Sequence, residues 1–356
     1  MHALHVVGAR PNFMKAAPVY RALELTGHRQ TLVHTGQHYD ARMSDVFFSQ
    51  LEIPEPDENL NVGSASHAQQ TAAVMSAFEP VVTTYNPDIV LLYGDVNSTV
   101  AAALVCSKLG IRIAHIEAGL RSFDRSMPEE INRLLTDQMA DILFTPSSDG
   151  DSNLEREGVP SERIHLVGNV MIDTLVRLLP RADSSFPALK KELSLNSFGL
   201  ITLHRPSNVD DEAVFLPMMD ALDELSKELP LIFPVHPRTR LRWSSRLDSC
   251  NPSLRVIEPL GYLEFLGLQK NATLVITDSG GIQEETTYLG VPCITLRENT
   301  ERPITVTLGT NTLIGRDWDM LRTHFLRSLN GSRKRGSLLP FWDGHASDRI
   351  AEVLSR

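Results

Sequence analysis

The feature that most constrains this chain is an alternation, kept from end to end, of short apolar runs with helix-length amphipathic stretches. The runs Ala3–Val7, Gln30–His34, Asp88–Tyr93, Arg112–Ile116, Asp141–Thr145 and Ile164–Val167 read as strands. A second series follows at Gly199–Leu203, Leu231–Val235, Leu254–Ile257, Thr273–Thr277, Pro292–Leu296 and Thr312–Ile314. Helix patterns separate them, among them Asn12–Leu25, Ser98–Leu109, Glu129–Met139, Asp211–Lys227 and Gly281–Leu289. Strands this apolar, joined through helices, belong to parallel sheets covered on both faces.

A chain of 356 residues is long enough for two such cores, at roughly 150 residues per domain. The polar, Pro- and Ser-bearing stretch Pro180–Ser197 stands between the two series and reads as the seam. The expected fold is therefore α/β, with two doubly wound domains. The boundaries are placed at residues 1–170 and 171–344, and a C-terminal helix at 345–356 is expected to complete the first domain. Ligands of doubly wound sheets sit outside the carboxyl ends of the strands, so the cleft between the domains is the expected site.

Composition narrows the function classes. With 34 basic against 44 acidic residues the net charge is −10, which argues against broad nucleic-acid or anionic-membrane binding. An anion can still be held where cations are concentrated. No apolar run approaches the ~18 residues of a membrane span, and Met1–Gly8 reads as a strand and not as a signal peptide. Cys106, Cys250 and Cys293 are far apart and odd in number, which favours a reduced, cytoplasmic setting. Neither Cys-x-x-Cys nor His-Glu-x-x-His occurs, so no metal site is expected. The basic run Ser332–Arg335 reads as a solvated loop.

Four constellations bear chemistry. Gly8-Ala9-Arg10-Pro11-Asn12 opens a helix behind a strand, with Lys15 a turn further on. It fits an anion site built on the helix start, and equally an ordinary βα turn with two surface cations. Thr277-Asp278-Ser279-Gly280-Gly281 repeats the strand-to-helix arrangement with two glycines. Ser279 and its neighbouring N–H groups suit a pyrophosphate, and Glu285 suits a ribose diol; the bland alternative is a plain helix cap.

The third constellation is acidic. Asp95 follows one strand, Glu117 ends another, and Glu129 and Glu130 open a helix. Each has a dull explanation: Asp95 caps a helix, Glu117 pairs with Arg121, and Glu129 complements a helix dipole. All lie in carboxyl-end loops of one sheet, where crowded carboxylates can keep a member protonated for acid/base work. The fourth is cationic: His204-Arg205 and His236-Pro237-Arg238 end strands, and Glu301-Arg302-Pro303 follows another. Histidine and arginine there could neutralise a leaving diphosphate.

Taken in order, these motifs resemble the non-hydrolysing UDP-N-acetylglucosamine 2-epimerases. The resemblance runs through Gly8–Pro11 with Lys15, Gly94-Asp95 with Asn97-Ser98-Thr99, Glu117–Arg121, and Pro128–Glu130 with Asn132-Arg133. It continues through His204-Arg205, Thr277–Gly281 with Glu284-Glu285, and Thr300–Pro303. It implies two Rossmann-like domains of GT-B type, a homodimer, a UDP-sugar substrate and no cofactor. It implies Asp95, Glu117 and Glu129 as acid/base carboxylates and His204 as a catalytic histidine near the diphosphate. Arg10, Lys15, Ser279, Gly280, Gly281, Glu285 and Arg302 correspond to nucleotide-sugar contacts, and Phe265 to a position beside the uracil.

The implied reaction interconverts UDP-N-acetylglucosamine and UDP-N-acetylmannosamine through UDP elimination, a 2-acetamidoglucal and re-addition. One departure concerns the segment Gln37-His38-Tyr39-Asp40-Ala41, where many bacterial members carry Gln-His-x-x-Gln beside an activating substrate site. That segment, Arg121–Phe123 and His236–Arg240 also resemble relatives acting on UDP-2,3-diacetamido-glucuronate, whereas Glu301–Pro303 follows the N-acetylglucosamine type. A hydrolysing relative and a GT-B glycosyltransferase are the other readings.

Overall fold

The computed structural model describes residues 1–36, 50–337 and 339–356. The Gln37–Ala41 segment, with His38, and the side chain of Arg10 lie outside what it describes. The chain forms two compact units, residues 1–174 with 340–356, and residues 175–339.

The first unit runs β1 (His2–Val7), α1 (Arg10–Leu25), β2 (Arg29–His34), β3 (Glu58–Asn59), α2 (His67–Tyr85), β4 (Ile89–Tyr93) and α3 (Asn97–Leu109). It continues with β5 (Ile113–Ile116), α4 (Pro128–Met139), β6 (Ile142–Thr145), α5 (Ser148–Arg156) and β7 (Ile164–Leu166). Its sheet has the order β3-β2-β1-β4-β5-β6-β7, with every pairing parallel. Burial explains why these runs become strands: all of β1, β4, β5 and β6 is buried, as parallel strands covered on both faces must be.

Helix α6 (Val170–Glu192) leads into the second unit, and here the expectation from sequence needs correction. The stretch Pro180–Ser197 is helical as far as Glu192, and the two units divide inside that helix, between Thr174 and Leu175. The helix survives Pro180 and Pro187 because one face of it, with Leu175, Leu178, Ala182 and Leu189, is buried. Tertiary packing outweighs local propensity here.

The second unit follows with β8 (Gly199–Thr202), α7 (Pro206–Val209), α8 (Glu212–Leu225), β9 (Leu231–Pro234), α9 (Pro237–Asp248), β10 (Leu254–Ile257) and α10 (Tyr262–Asn271). Then come β11 (Leu274–Thr277), α11 (Gly280–Leu289), β12 (Cys293–Thr295), α12 (Pro303–Thr307), β13 (Asn311–Leu313) and α13 (Trp318–Leu329). The order β10-β9-β8-β11-β12-β13 is again wholly parallel. Alternate residues serve opposite faces. Ile201, Leu274 and Ile276 join Phe215, Met218 and Phe325 in one core, while Leu200 and Val275 join Phe198 and Leu268 in the other. The last helix, α14 (Ala346–Leu354), returns to the first unit, where the Ala346 and Ser347 N–H groups donate to Asp173.

Both sheets are Rossmann-like, with the chain reversing direction across the sheet between β1 and β4 and between β8 and β11. The loops following those four strands carry Gly8–Pro11, Gly94-Asp95, His204-Arg205 and Asp278–Gly281, while Glu117 follows β5 and Arg302 follows β12. Among the described residues, no helix is long and apolar enough to cross a membrane.

Candidate active site

In the first unit, the turn after β1 is built tightly. The Asn12 side chain accepts from the N–H groups of Gly8 and Ala9 and donates to the Tyr93 carbonyl at 2.7 Å. Those two N–H groups are occupied within the chain, so the anion expected at this turn cannot draw on them. Lys15, one turn into α1, is buried and its ammonium pairs with the Glu117 carboxylate. The Arg121 guanidinium, expected on Glu117, is instead on Asp137 and Glu157.

The turn after β4 favours glycine at position 94. Its φ is +64°, and a Cβ there would lie 2.7 Å from Lys15 Nζ and 3.1 Å from Glu117 Oε2. Glu117 itself has φ +74°, a left-handed conformation a non-glycine residue adopts at a cost of about 1 kcal/mol. Such strain persists where surroundings over-determine it. Here the Glu117 and Ala118 N–H groups both donate to the Phe144 carbonyl, and Lys15 grips the side chain.

Helix α4 completes the arrangement. Arg133 donates to Asp95 at 2.5 Å and to Glu130 at 3.0 Å, and Asn132 donates to the Asp95 carbonyl. Glu130 is buried and takes the N–H groups of Ser122 and Phe123 together with the Ser122 hydroxyl. Glu129 is half-buried and has no side-chain hydrogen bond or ion pair among the described residues. It lies four residues, hence one turn, before Arg133 on the same helix face. The structure thus assembles Asp95, Glu117 and the start of α4 at one end of one sheet. It gives Asp95 and Glu117 a cation each, which sequence reasoning did not anticipate. Arg133 stands in one of the motifs without an expected role, and its three-residue spacing from Glu130 is the available signal.

In the second unit, Asp278 follows β11 and is buried beneath His204 and Arg205. It accepts from both of their backbone N–H groups and from Asn208, and stands 3.0 Å from His204 Nδ1. Burial pushes the Asp278 carboxyl up, but the His204 ring and these donors outweigh it and hold it below its ordinary range. With Nδ1 on Asp278, the exposed His204 ring turns Nε2 outward. Asp278 is a second residue that the motif contained and sequence reasoning left without a task.

The glycine turn lies beside it. A Cβ on Gly280 would sit 2.5 Å from an Arg302 guanidinium nitrogen, so that glycine makes room for the arginine. A Cβ on Gly281 would meet no protein atom within 4 Å, so the space on that side of the turn is open. Ser279 is the N-cap of α11, yet its hydroxyl does not cap the helix. Arg302 contacts Glu284 at 2.8 Å and Glu301 at 3.4 Å; Glu301 is also gripped by Arg297 and reached by Arg205. These three arginines and two glutamates sum to one positive charge, in keeping with an anion site.

Behind the turn, Tyr262 donates to Glu285 Oε1 at 2.9 Å, while Oε2 is buried without a partner among the described residues. Burial raises the Glu285 carboxyl to about 7, opposed by Tyr262 and Gln269 and helped by Glu284. A buried carboxylate oxygen awaiting a donor suits a ribose diol. Phe265, on the same helix as Tyr262, is half-buried and packs with Ile282 against the adjoining core. Arg10 opens α1. Lys334, in the run read as a solvated loop, sets its ammonium on the Val306 and Asn311 carbonyls. No group of three His, Cys, Asp or Glu able to hold a metal occurs among the described residues.

Two Rossmann-like units, each with chemistry at its reversal point, define the class: a GT-B-like α/β fold. Within that class the chain belongs to the UDP-N-acetylglucosamine 2-epimerase family, whose model matches residues 21–355. It is 43% identical to the UDP-N-acetylglucosamine 2-epimerase of Methanococcus maripaludis over 98% of this chain and 97% of that one. It is also 43% identical to the UDP-2,3-diacetamido-2,3-dideoxy-D-glucuronate 2-epimerase of Pseudomonas aeruginosa, with 100% of both chains covered. The crystal structure of the Methanocaldococcus jannaschii UDP-GlcNAc 2-epimerase, in complex with UDP-GlcNAc and UDP, superposes with a TM-score of 0.91. The identity is 42%, covering 100% of this chain and 99% of that one.

Proposed function

We propose that this chain is a non-hydrolysing 2-epimerase of UDP-N-acetylglucosamine, with acid/base groups in the first unit and a UDP cradle in the second. The observation that carries it is Glu117: a carboxylate in left-handed backbone, gripped by a buried lysine beside a glycine that is itself in left-handed backbone. A pure binder has no use for a carboxylate so constrained.

In this reading the C2–H and C1–O bonds of the sugar break together. A carboxylate of the Asp95, Glu117 and Glu129 set takes the C2 proton, and UDP leaves with the electrons of the C1–O bond. His204, Arg302 and Arg10 offset the charge growing on the diphosphate. A double bond between C1 and C2 remains in the 2-acetamidoglucal. Reprotonation at C2 from the opposite face and return of UDP to C1 give the manno isomer. Ser279, Gly281 and Glu285 hold the nucleotide, Phe265 borders its base, and Lys15 keeps Glu117 in place. No hydride moves, which fits a chain without a dinucleotide fingerprint.

Incubation with UDP-N-acetylglucosamine in deuterated water, followed by proton NMR, tests this. Deuterium at C2 together with the manno nucleotide sugar is the expected result. Free sugar plus UDP would indicate a hydrolysing enzyme, and no exchange at C2 would refute the proposal for this substrate. The equal identity to the Pseudomonas aeruginosa enzyme favours a second reading, in which the same chemistry acts on the diacetamido-uronate. Exchange on that nucleotide sugar alone would select it.

A further inference from the structure

The acidic set rests on a charged pair that the chemistry above does not use. His115, in β5, is fully buried. Its Nε2 stands 2.7 Å from the Gly94 carbonyl oxygen, and its Nδ1 stands 2.6 Å from Asp137 Oδ1. Asp137, near the end of α4, is equally buried; its Oδ2 accepts from the Gly119 N–H at 3.1 Å and faces Arg121 at 2.7 Å. Arg121 in turn pairs with Glu157 just beyond α5. Burial pushes the Asp137 carboxyl up, and the charges of His115 and Arg121 more than reverse it, so Asp137 is an acceptor at both oxygens.

Donor and acceptor roles follow. A carbonyl oxygen has no proton to offer, so Nε2 must donate to Gly94, which leaves Nδ1 facing Asp137. What the ring touches gives it a role. Gly94 precedes Asp95, Gly119 follows Glu117 by two residues, and Asp137 shares α4 with Glu129 and with Arg133, the partner of Asp95.

We propose that His115 and Asp137 are positioning residues, a buried histidine and its carboxylate partner that lock three segments bearing the acid/base groups into one register. Bonds to the backbone at Gly94 and Gly119 fix where Asp95 and Glu117 stand, and Asp137 ties α4 to both, without touching substrate. A misplacement near 1 Å is worth about 10²-fold in rate. The proposal rests on the epimerase reading for its consequence in rate, whereas the hydrogen bonds of the ring do not.

The test uses the full chain labelled with 15N-histidine, with the His115 ring identified by its loss in His115→Gln. The His115 Nε2 should report as protonated, and an Nε2 without a proton would overturn the proposal. Asp137→Asn should shift the His115 Nδ1 resonance, and a ring unchanged by that substitution would equally overturn it. In His115→Gln, C2 exchange should fall by about 10²-fold while UDP affinity stays within about twofold, since the cradle lies in the other unit. Retained exchange would refute the positioning role. Absence of exchange in the unmodified chain is a different failure: it removes the epimerase reading and leaves the ring measurement to decide the pair's hydrogen bonds.

Discussion

Glu285 lends itself to a quantitative test, because its burial should be visible as a pH dependence of stability. The carboxyl is raised from 4.5 to about 7, chiefly by burial. The native state therefore binds this proton more tightly than the unfolded chain does. The stabilisation is complete below pH 4.5 and is lost as pH rises through about 7. At roughly 1.4 kcal/mol per pH unit, an ionised Glu285 costs the second unit about 3 kcal/mol in alkaline solution. Glu285→Gln keeps an acceptor for the Tyr262 hydroxyl and carries no charge. Its amide nitrogen would stand where Oε2 now lacks a partner.

The assay is urea unfolding at about pH 5 and about pH 8.5, read by fluorescence in a Trp342→Phe background. Trp342 lies in the first unit, so Trp243 and Trp318 then report the second alone. The unsubstituted chain should lose about 2–3 kcal/mol more than Glu285→Gln between the two conditions. An equal pH dependence in both would refute the argument, since burial could then not be acting on this carboxyl. UDP affinity should also weaken in Glu285→Gln, because ribose hydroxyls donate better to a carboxylate than to an amide oxygen.

Other consequences follow from the geometry. Asp95→Asn, Glu117→Gln and Glu129→Gln should each lower turnover by ~10²-fold or more with folding retained, and unchanged turnover in all three would remove them from the chemistry. Gly94→Ala should cost about 1–2 kcal/mol for its left-handed backbone, and more from displacing Lys15; thermal unfolding beside C2 exchange would separate strain from misplacement. Asp278→Asn leaves backbone donors of His204 and Arg205 sharing a single acceptor oxygen, so a loss of about 2–4 kcal/mol and weaker UDP binding are expected, checked by denaturation and calorimetry.

The strands and the helices between them were legible from the amino-acid order because the signal is local. Asp88–Tyr93 was expected and Ile89–Tyr93 is found; Leu254–Ile257 agrees at both ends. A strand buried on both faces must be apolar throughout, and nothing distant is needed to read that. The two-residue β3 has no such run and went unseen. The seam was misread for the opposite reason: prolines and serines signal a linker locally, while the buried face of α6 holds the helix together.

The site divides in the same way. Which residue types occur at strand ends and helix starts, and so which chemistry the chain can support, followed from sequence and from its family resemblance. What each side chain does there was decided by partners far along the chain. Lys15 and Glu117 stand 102 positions apart, and Arg121, expected on Glu117, is on Asp137 and Glu157. Glu129 and Glu130 are adjacent and chemically alike, yet one is bound up with the Ser122 loop while the other is not. Short-range periodicity records only what a residue packs against in its own turn or pleat. The order β3-β2-β1-β4-β5 decides which loop ends meet, and with them which charges neutralise one another, so those pairings exist only once the sheet has formed.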